Sequence, residues 1–117
     1  MEELAIVVPV YNEEETIELF IKEVNDKTEK LELKKVFYFV NDGSSDHTLP
    51  LIKKLASQVD NINYISFSRN FGKEAALLAG LEATTEPLVT VMDVDLQDPP
   101  ELIVSMYQKL QEGYDSV

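Results

Sequence analysis

Apolar residues in this chain alternate between two spacings from one end to the other, and that alternation is the strongest constraint on its fold. LAIVVPV (Leu4 to Val10) is short, β-branched and almost wholly apolar, the pattern of a strand buried on both faces. From Glu13 the period changes: Ile17, Phe20, Ile21 and Val24 fall at i, i+3, i+4 and i+7, one apolar face of a helix. VFYFV (Val36 to Val40) returns to strand, and Ile52, Leu55, Ala56 and Val59 mark a second amphipathic helix. INYISF (Ile62 to Phe67) predicts a third strand. KEAALLAGLEA (Lys73 to Ala83) predicts a third helix, rich in helix formers and carrying small residues suited to close packing. LVTVM (Leu88 to Met92) is a fourth strand, and Ile103, Met106, Tyr107 and Leu110 give a fourth helical face.

The order βαβαβαβα predicts an α/β fold: a Rossmann-like, mostly parallel sheet with helices on both faces. At 117 residues the chain is one domain's worth, residues 1–117. The sequence stops at YDSV, where a fifth strand is expected to begin, so the domain reads as cut at its C-terminus.

Composition narrows the chemistry. There is no cysteine, which excludes disulfides, thiolate catalysis and cysteine-ligated metals. MEELAIVV lacks the basic start of a signal peptide, and the apolar runs fall far short of the roughly 20 residues of a membrane helix. A net charge of −12 repels nucleic acid and anionic surfaces. A phosphate-bearing ligand then needs a divalent cation or a helix N-terminus to offset the repulsion.

Four polar clusters follow the four strands: Pro9-Val-Tyr11-Asn12-Glu13, Asn41-Asp42-Gly43-Ser44-Ser45-Asp46, Ser68-Arg69-Asn70-Phe71-Gly72-Lys73, and Asp93-Val94-Asp95-Leu96-Gln97-Asp98. In a parallel sheet the carboxyl ends of the strands share one edge, and ligands bind there where the strand order reverses. The clusters are therefore expected to converge on one site.

If the chain stays extended past the fourth strand, Asp93, Asp95 and Gln97 point one way while Val94 and Leu96 face the core. Two carboxylates and an amide oxygen suit Mg²⁺ or Mn²⁺. The alternative, strand termination and helix capping, fits Asp98, which with Pro99 and Glu101 has the pattern of a capping box. It leaves Asp93 and Asp95 unexplained. Asn41-Asp42-Gly43 reads equally as a turn, with Ser45 or Asp46 capping the second helix, or as a ligand site in which Asp42 accepts hydrogen bonds from a base. Asn12 is expected to cap the first helix with Glu15 at N3, and Tyr11 offers a ring face for stacking. Arg69 and Lys73, the basic residues of the clusters, face either diphosphate oxygens or solvent. His47, the lone histidine, has no His or Cys partner and is given no role.

These segments resemble family-2 glycosyltransferases of the GT-A fold. VVPVYNEEETI and VNDGSSDHT are similar to that family's first two nucleotide-binding segments, which are widely shared within it. SRNFGKEAALLAGLEA followed by VMDVDLQDPPELI more narrowly resembles the polyisoprenyl-phosphate sugar transferases, of the bactoprenol glucosyltransferase and dolichol-phosphate mannose synthase type. The resemblance spans nearly all of residues 4 to 112. It implies that Pro9, Tyr11, Glu13 and Asp42 hold the nucleoside; Lys73 and Asp93 are taken with them as candidate donor-site residues. Asp93 and Asp95 would be the DXD pair at the catalytic centre, and Asp93, Asp95 and Gln97 the ligands of Mg²⁺ or Mn²⁺ beside the diphosphate. Asn41 stands where many members have Asp, and Val94 where a small residue is usual.

The implied reaction moves a hexose, with inversion, from a UDP- or GDP-sugar (UDP-glucose first) to a polyisoprenyl phosphate in cell-envelope synthesis. The resemblance also implies a cytoplasmic-face setting and a membrane anchor in C-terminal segments beyond this sequence. A saccharide acceptor, or a fragment that only binds nucleotide, is the alternative. A nucleotidyltransferase is disfavoured because PVYNEEE is acidic and lacks the Gly-rich phosphate loop. A phosphoacceptor receiver domain would require an acidic pair after strand one and a Lys after a fifth strand.

Overall fold

The computed structural model describes residues 2–95 and 101–111. Its elements run β1 (Glu2–Val10), α1 (Ile17–Thr28), β2 (Leu33–Asn41), α2 (Thr48–Gln58), β3 (Ile62–Ser66), α3 (Lys73–Ala83), β4 (Leu88–Val91) and α4 (Glu101–Gln111). The expected alternation is present element for element, and the ends differ for identifiable reasons. β1 and β2 extend into polar sequence because their backbones pair in parallel from Glu2–Leu33 through Val10–Asn41, and a ladder needs no apolar side chain. Val59, expected on the face of α2, lies past the helix as its C-cap and is exposed.

The sheet is parallel, in the order β3-β2-β1-β4. The chain steps from β1 outward to β3, then returns across the sheet to place β4 on the other side of β1. Right-handed crossovers in opposite directions put their helices on opposite faces. Accordingly Ile17, Phe20 and Val24 of α1 and Ile52 of α2 pack with Leu4, Ile6, Val8 and Val10 on one face, while Ala76 of α3 packs with Ala5, Val7, Val36, Tyr38 and Val40 on the other. Period-two alternation along a β1 that is buried on both sides explains why its sequence reads as one continuous apolar run.

Each face has a distinct packing device. On the first, the Phe20 ring meets Phe37 and Phe39 edge-on, at centroid separations of 6.1 and 6.3 Å. Truncating so buried a phenylalanine to alanine typically costs about 3–5 kcal/mol. On the second, α3 turns Ala76 and Gly80 to the sheet, and a Cβ on Gly80 would lie 2.4 Å from Val7 Cγ1. The small residues of α3 thus set how closely it approaches the sheet, while Leu78 and Leu81 on the same helix stay exposed. Among the described residues no helix is long and apolar enough to cross a membrane.

Candidate active site

The reversal of strand order falls between β1 and β4, so the crevice at their carboxyl ends is where a ligand is expected. A cavity of about 200 Å³ opens there, lined by Pro9, Val10, Tyr11, Glu13, Asp42, Lys73 and Asp93. Residues drawn from all four polar clusters meet at it. Val10, the last residue of β1, is the lining residue that sequence reasoning passed over; its place at a strand's carboxyl end was the available signal.

The loop after β1 is held by the loop after β2. Asn12 adopts a left-handed backbone conformation (φ 52°), which Asn tolerates better than most residues. Its side-chain Oδ1 accepts hydrogen bonds from the backbone N–H groups of Ser45 (2.8 Å) and Asp46 (3.3 Å), and its own N–H donates to Ser44 Oγ at 2.9 Å. The expectation that Asn12 caps α1 is therefore corrected. The helix starts later, at Ile17, because Asn12 and Glu13 are engaged with the segment from Ser44 to Thr48. Thr16 stands at the cap position, and its hydroxyl bonds the Glu13 carbonyl and carboxylate rather than capping the helix.

Glu13 is tied from a second direction. Its N–H donates to Thr48 Oγ1 at 2.9 Å, and the Thr48 hydroxyl in turn donates to Asp46 Oδ1. Asp46 Oδ1 also accepts the Thr48 N–H at 2.9 Å, at the entry to α2, while His47 occupies the cap position without a side-chain bond. The His47 ring points outward, 3.3 Å from Glu14 Oε2 and outside the cavity lining.

Asp42 organises the third cluster. Its carboxylate is buried and accepts the N–H of Phe71 at 2.7 Å and of Gly72 at 3.1 Å, one on each oxygen. Asn70 Nδ2 donates to the Asp42 carbonyl at 3.3 Å. Gly43, in a left-handed turn (φ 72°), lets the two loops touch: a Cβ there would lie 2.2 Å from the Arg69 carbonyl carbon. Turn and close approach are thus one feature, and both require glycine. Asn41 donates through Nδ2 to Ser66 Oγ at 3.1 Å and accepts from the Ser44 N–H at 3.2 Å. An amide supplies both the donor and the acceptor that this buried position uses.

Lys73 begins α3, and its Nζ lies 2.8 Å from Asp93 Oδ1. Arg69 is turned differently, with its guanidinium 4.6 Å over the Phe71 ring. Of the two basic residues it is Lys73 that lines the cavity. Beyond β4, Met92 and Val94 are buried, Asp93 is half-buried and Asp95 is exposed, so the expected alternation holds as far as Asp95. The backbone does not stay extended as expected: it turns at Val94–Asp95. Gln97, and Asp98 with its expected cap, lie outside the described residues.

The electrostatics are those of converging carboxylates. Burial holds the Glu13 carboxyl above its ordinary value; the Thr16 hydroxyl bond opposes this, and the charges of Asp95, Asp46 and Asp93 add to the rise. Among the described residues no group of three or more His, Cys, Asp or Glu is arranged as a metal cage. Mg²⁺ is ordinarily held by one or two carboxylates together with substrate phosphates and water. Asp93 and Asp95 match that donor chemistry, and the ammonium on Asp93 stands where a cation is drawn.

Comparison with known proteins agrees with this geometry. The model for "Glycosyl transferase family 2" matches residues 5–117. A bactoprenol glucosyl transferase of Shigella phage SfX is 46% identical over 114 residues, covering 97% of this chain and 37% of that protein. The chain thus spans little more than a third of the length of the curated relatives it matches. Among solved structures, the mannosyltransferase PcManGT from Pyrobaculum calidifontis, in complex with GDP-Man and Mn²⁺, superposes with a TM-score of 0.75 at 22% identity, over 92% of this chain and 32% of that one. TarS 1-349 of S. aureus in complex with UDP gives a TM-score of 0.69 at 21% identity, over 96% of this chain and 32% of that one. With a family match across nearly its whole length and a GT-A type fold, the chain belongs to glycosyl transferase family 2.

Proposed function

We propose that this chain is the donor-binding part of an inverting glycosyltransferase, which in its full-length form moves a hexose from a nucleotide-diphosphate sugar to a polyisoprenyl phosphate. The observation that carries this reading is the meeting of Tyr11, Glu13, Asp42, Lys73 and Asp93 around one cavity at the strand-order reversal. Relatives named bactoprenol glucosyl transferase, at 45–46% identity, support glucose and a lipid-phosphate acceptor, with UDP-glucose as the first donor to test.

Each residue has work suited to its chemistry. The half-exposed Tyr11 ring presents a face for a nucleobase to stack on. Pro9 and Glu13 line the cavity and would contact the nucleoside, and Asp42 holds the β3–α3 loop in place beside them. Lys73 faces the diphosphate as a mobile point charge. Asp93 and Asp95, with Gln97, would hold Mg²⁺ or Mn²⁺. When bound, that ion supplies charge stabilisation for the departing nucleoside diphosphate. A lipid phosphate, with a second pKa of about 6, is already anionic at neutral pH and needs no strong general base. An exposed His47 set apart from the cavity is consistent with that.

The test is thermal unfolding with UDP, UDP-glucose and GDP-mannose, each with and without Mn²⁺. A ligand at 100 times its dissociation constant stabilises the native state by about 2.7 kcal/mol, a shift of several degrees. A Mn²⁺-dependent rise with uridine ligands is expected. A rise with GDP-mannose alone would replace the donor, and no rise with any of the three would count against the donor site.

A further inference from the structure

We propose that Lys73 is the built-in counter-ion of this crevice: in the ligand-free protein its ammonium holds the Asp93 carboxylate, and a divalent cation must take that carboxylate from it, releasing the ammonium to the donor's diphosphate. The inference rests on the donor-site reading above and adds an exchange of partners to it.

Three independent observations support it. The Lys73–Asp93 contact, at 2.8 Å, is part of the cavity wall, so both groups lie where the ligand would sit. Lys73 is also the first residue of α3. A cation there faces the positive end of the helix dipole, an arrangement that costs rather than contributes helix stability. Its position therefore follows from what it faces, not from the helix it begins. Finally, Glu13 and Asp93 line the crevice, and the Glu13 carboxyl is raised chiefly by burial and further by the charges of Asp95 and Asp93. A positive charge placed among them lowers the cost of keeping that set together without a ligand.

The anchoring of the lysine suits an exchange. Asp42 binds the N–H groups of Phe71 and Gly72 immediately before it, which fixes the start of α3 against the end of β2. The Lys73 side chain beyond that fixed point is 60% exposed and Asp93 only 28%. The backbone at the start of α3 is held, while the ammonium lies at the more exposed end of the pair. Were a divalent cation to take Asp93, the ammonium would remain in the same cavity to meet diphosphate oxygens.

The proposal carries a pair of opposite signs. A lysine that only binds phosphate predicts weaker nucleotide binding on removal and no change toward bare metal. A purely structural ion pair predicts a loss of stability and no gain anywhere. A counter-ion that competes with the metal predicts that Lys73→Gln binds Mn²⁺ alone more tightly, by about 3- to 10-fold on the scale of a partly exposed ion pair, and binds UDP more weakly at saturating Mn²⁺. Mn²⁺ titration followed by electron paramagnetic resonance, then UDP titration by calorimetry, reads both. Lys73→Arg, which keeps the charge, should return both values toward the parent, and in an Asp93→Asn background Lys73→Gln should no longer change Mn²⁺ affinity. Equal or weaker Mn²⁺ binding by Lys73→Gln, with Mn²⁺-dependent UDP binding intact in the parent, would overturn the counter-ion role and leave the donor site standing. Absence of Mn²⁺-dependent UDP binding in the parent protein would remove both.

Discussion

The Asp42 carboxylate accepts the backbone N–H of Gly72 at 3.1 Å, so the loop that starts α3 hangs from the end of β2 across 30 residues of sequence. The second oxygen takes Phe71 N–H at 2.7 Å, and both bonds are charge-assisted within a buried setting. Asp42→Ala should destabilise the fold by about 3–6 kcal/mol, since each such bond is worth roughly 1.5–3 kcal/mol and two amides lose their partner. Amide hydrogen exchange at Phe71 and Gly72 should rise more than elsewhere. Uniform loss of protection across the domain would instead mean that Asp42 supports the whole core.

Asn12 joins the first two loops through one side-chain oxygen. Asn12→Ala should cost about 1–3 kcal/mol in urea unfolding, from lost hydrogen bonds and from alanine in a left-handed conformation. Asn12→Gly removes the backbone strain and keeps the hydrogen-bond loss, so it should lie between alanine and the parent. If glycine were no better than alanine, the positive φ would carry no energetic weight.

Two carboxylates near the site respond to pH in opposite senses. Glu13 is raised, chiefly by burial, so the folded state binds its proton more tightly than the unfolded chain does. Its contribution is most favourable at low pH and is lost as pH rises from the ordinary carboxylate range (about 4–5) to the raised value. Asp46 is lowered: burial would raise it, but the bonds from the Thr48 hydroxyl and backbone N–H outweigh that. Its contribution is present above the ordinary Asp value and is lost as pH falls through the depressed one. In stability–pH profiles, Glu13→Gln should therefore gain on the parent above about pH 5, and Asp46→Asn should fall behind it above about pH 4. Parallel profiles would show that neither group is perturbed.

Gly80 sets the approach of α3 to the sheet. Gly80→Ala places a methyl 2.4 Å from Val7 Cγ1 and 3.1 Å from Val40 Cγ2, both branched side chains within the core. Overpacking of this kind costs about 1–3 kcal/mol, more than the roughly 1 kcal/mol gained by replacing a helical glycine with alanine. Chemical denaturation should show net destabilisation. A net gain would mean that α3 can lift from the sheet at little cost.

Asp95 sits at the turn after β4 with its charge felt by Glu13. Asp95→Ala should abolish Mn²⁺-dependent nucleotide binding and leave the thermal midpoint without ligand within about 2 °C of the parent, as expected for an exposed residue outside the core. Unchanged Mn²⁺-dependent binding would remove Asp95 from the site.

The sequence by itself determined the elements and the edge on which the polar clusters lie. Apolar spacing reports which residues face a core whatever that core turns out to be, so β1, α1 and α3 were legible from Leu4–Val10, from Ile17, Phe20 and Val24, and from Lys73–Ala83. The four clusters could be placed at strand ends for the same reason, and Pro9, Tyr11, Glu13, Asp42, Lys73 and Asp93 do surround one cavity. Tertiary structure decided which partner each polar group takes. Asn12 had the local pattern of a helix cap and became a clamp on Ser45 and Asp46, because a hydrogen bond to a neighbouring loop competed with the cap and won. Asp42 read equally as a turn residue or as an acceptor for a base, and in the fold it supports the Phe71–Gly72 backbone. Lys73 and Asp93 belong to clusters twenty residues apart, and only the return of the chain from β3 to β4 across β1 brings ammonium and carboxylate together. Periodicity is a local signal that survives any packing, whereas a hydrogen bond or ion pair between loops exists only once the sheet has set the distance between them.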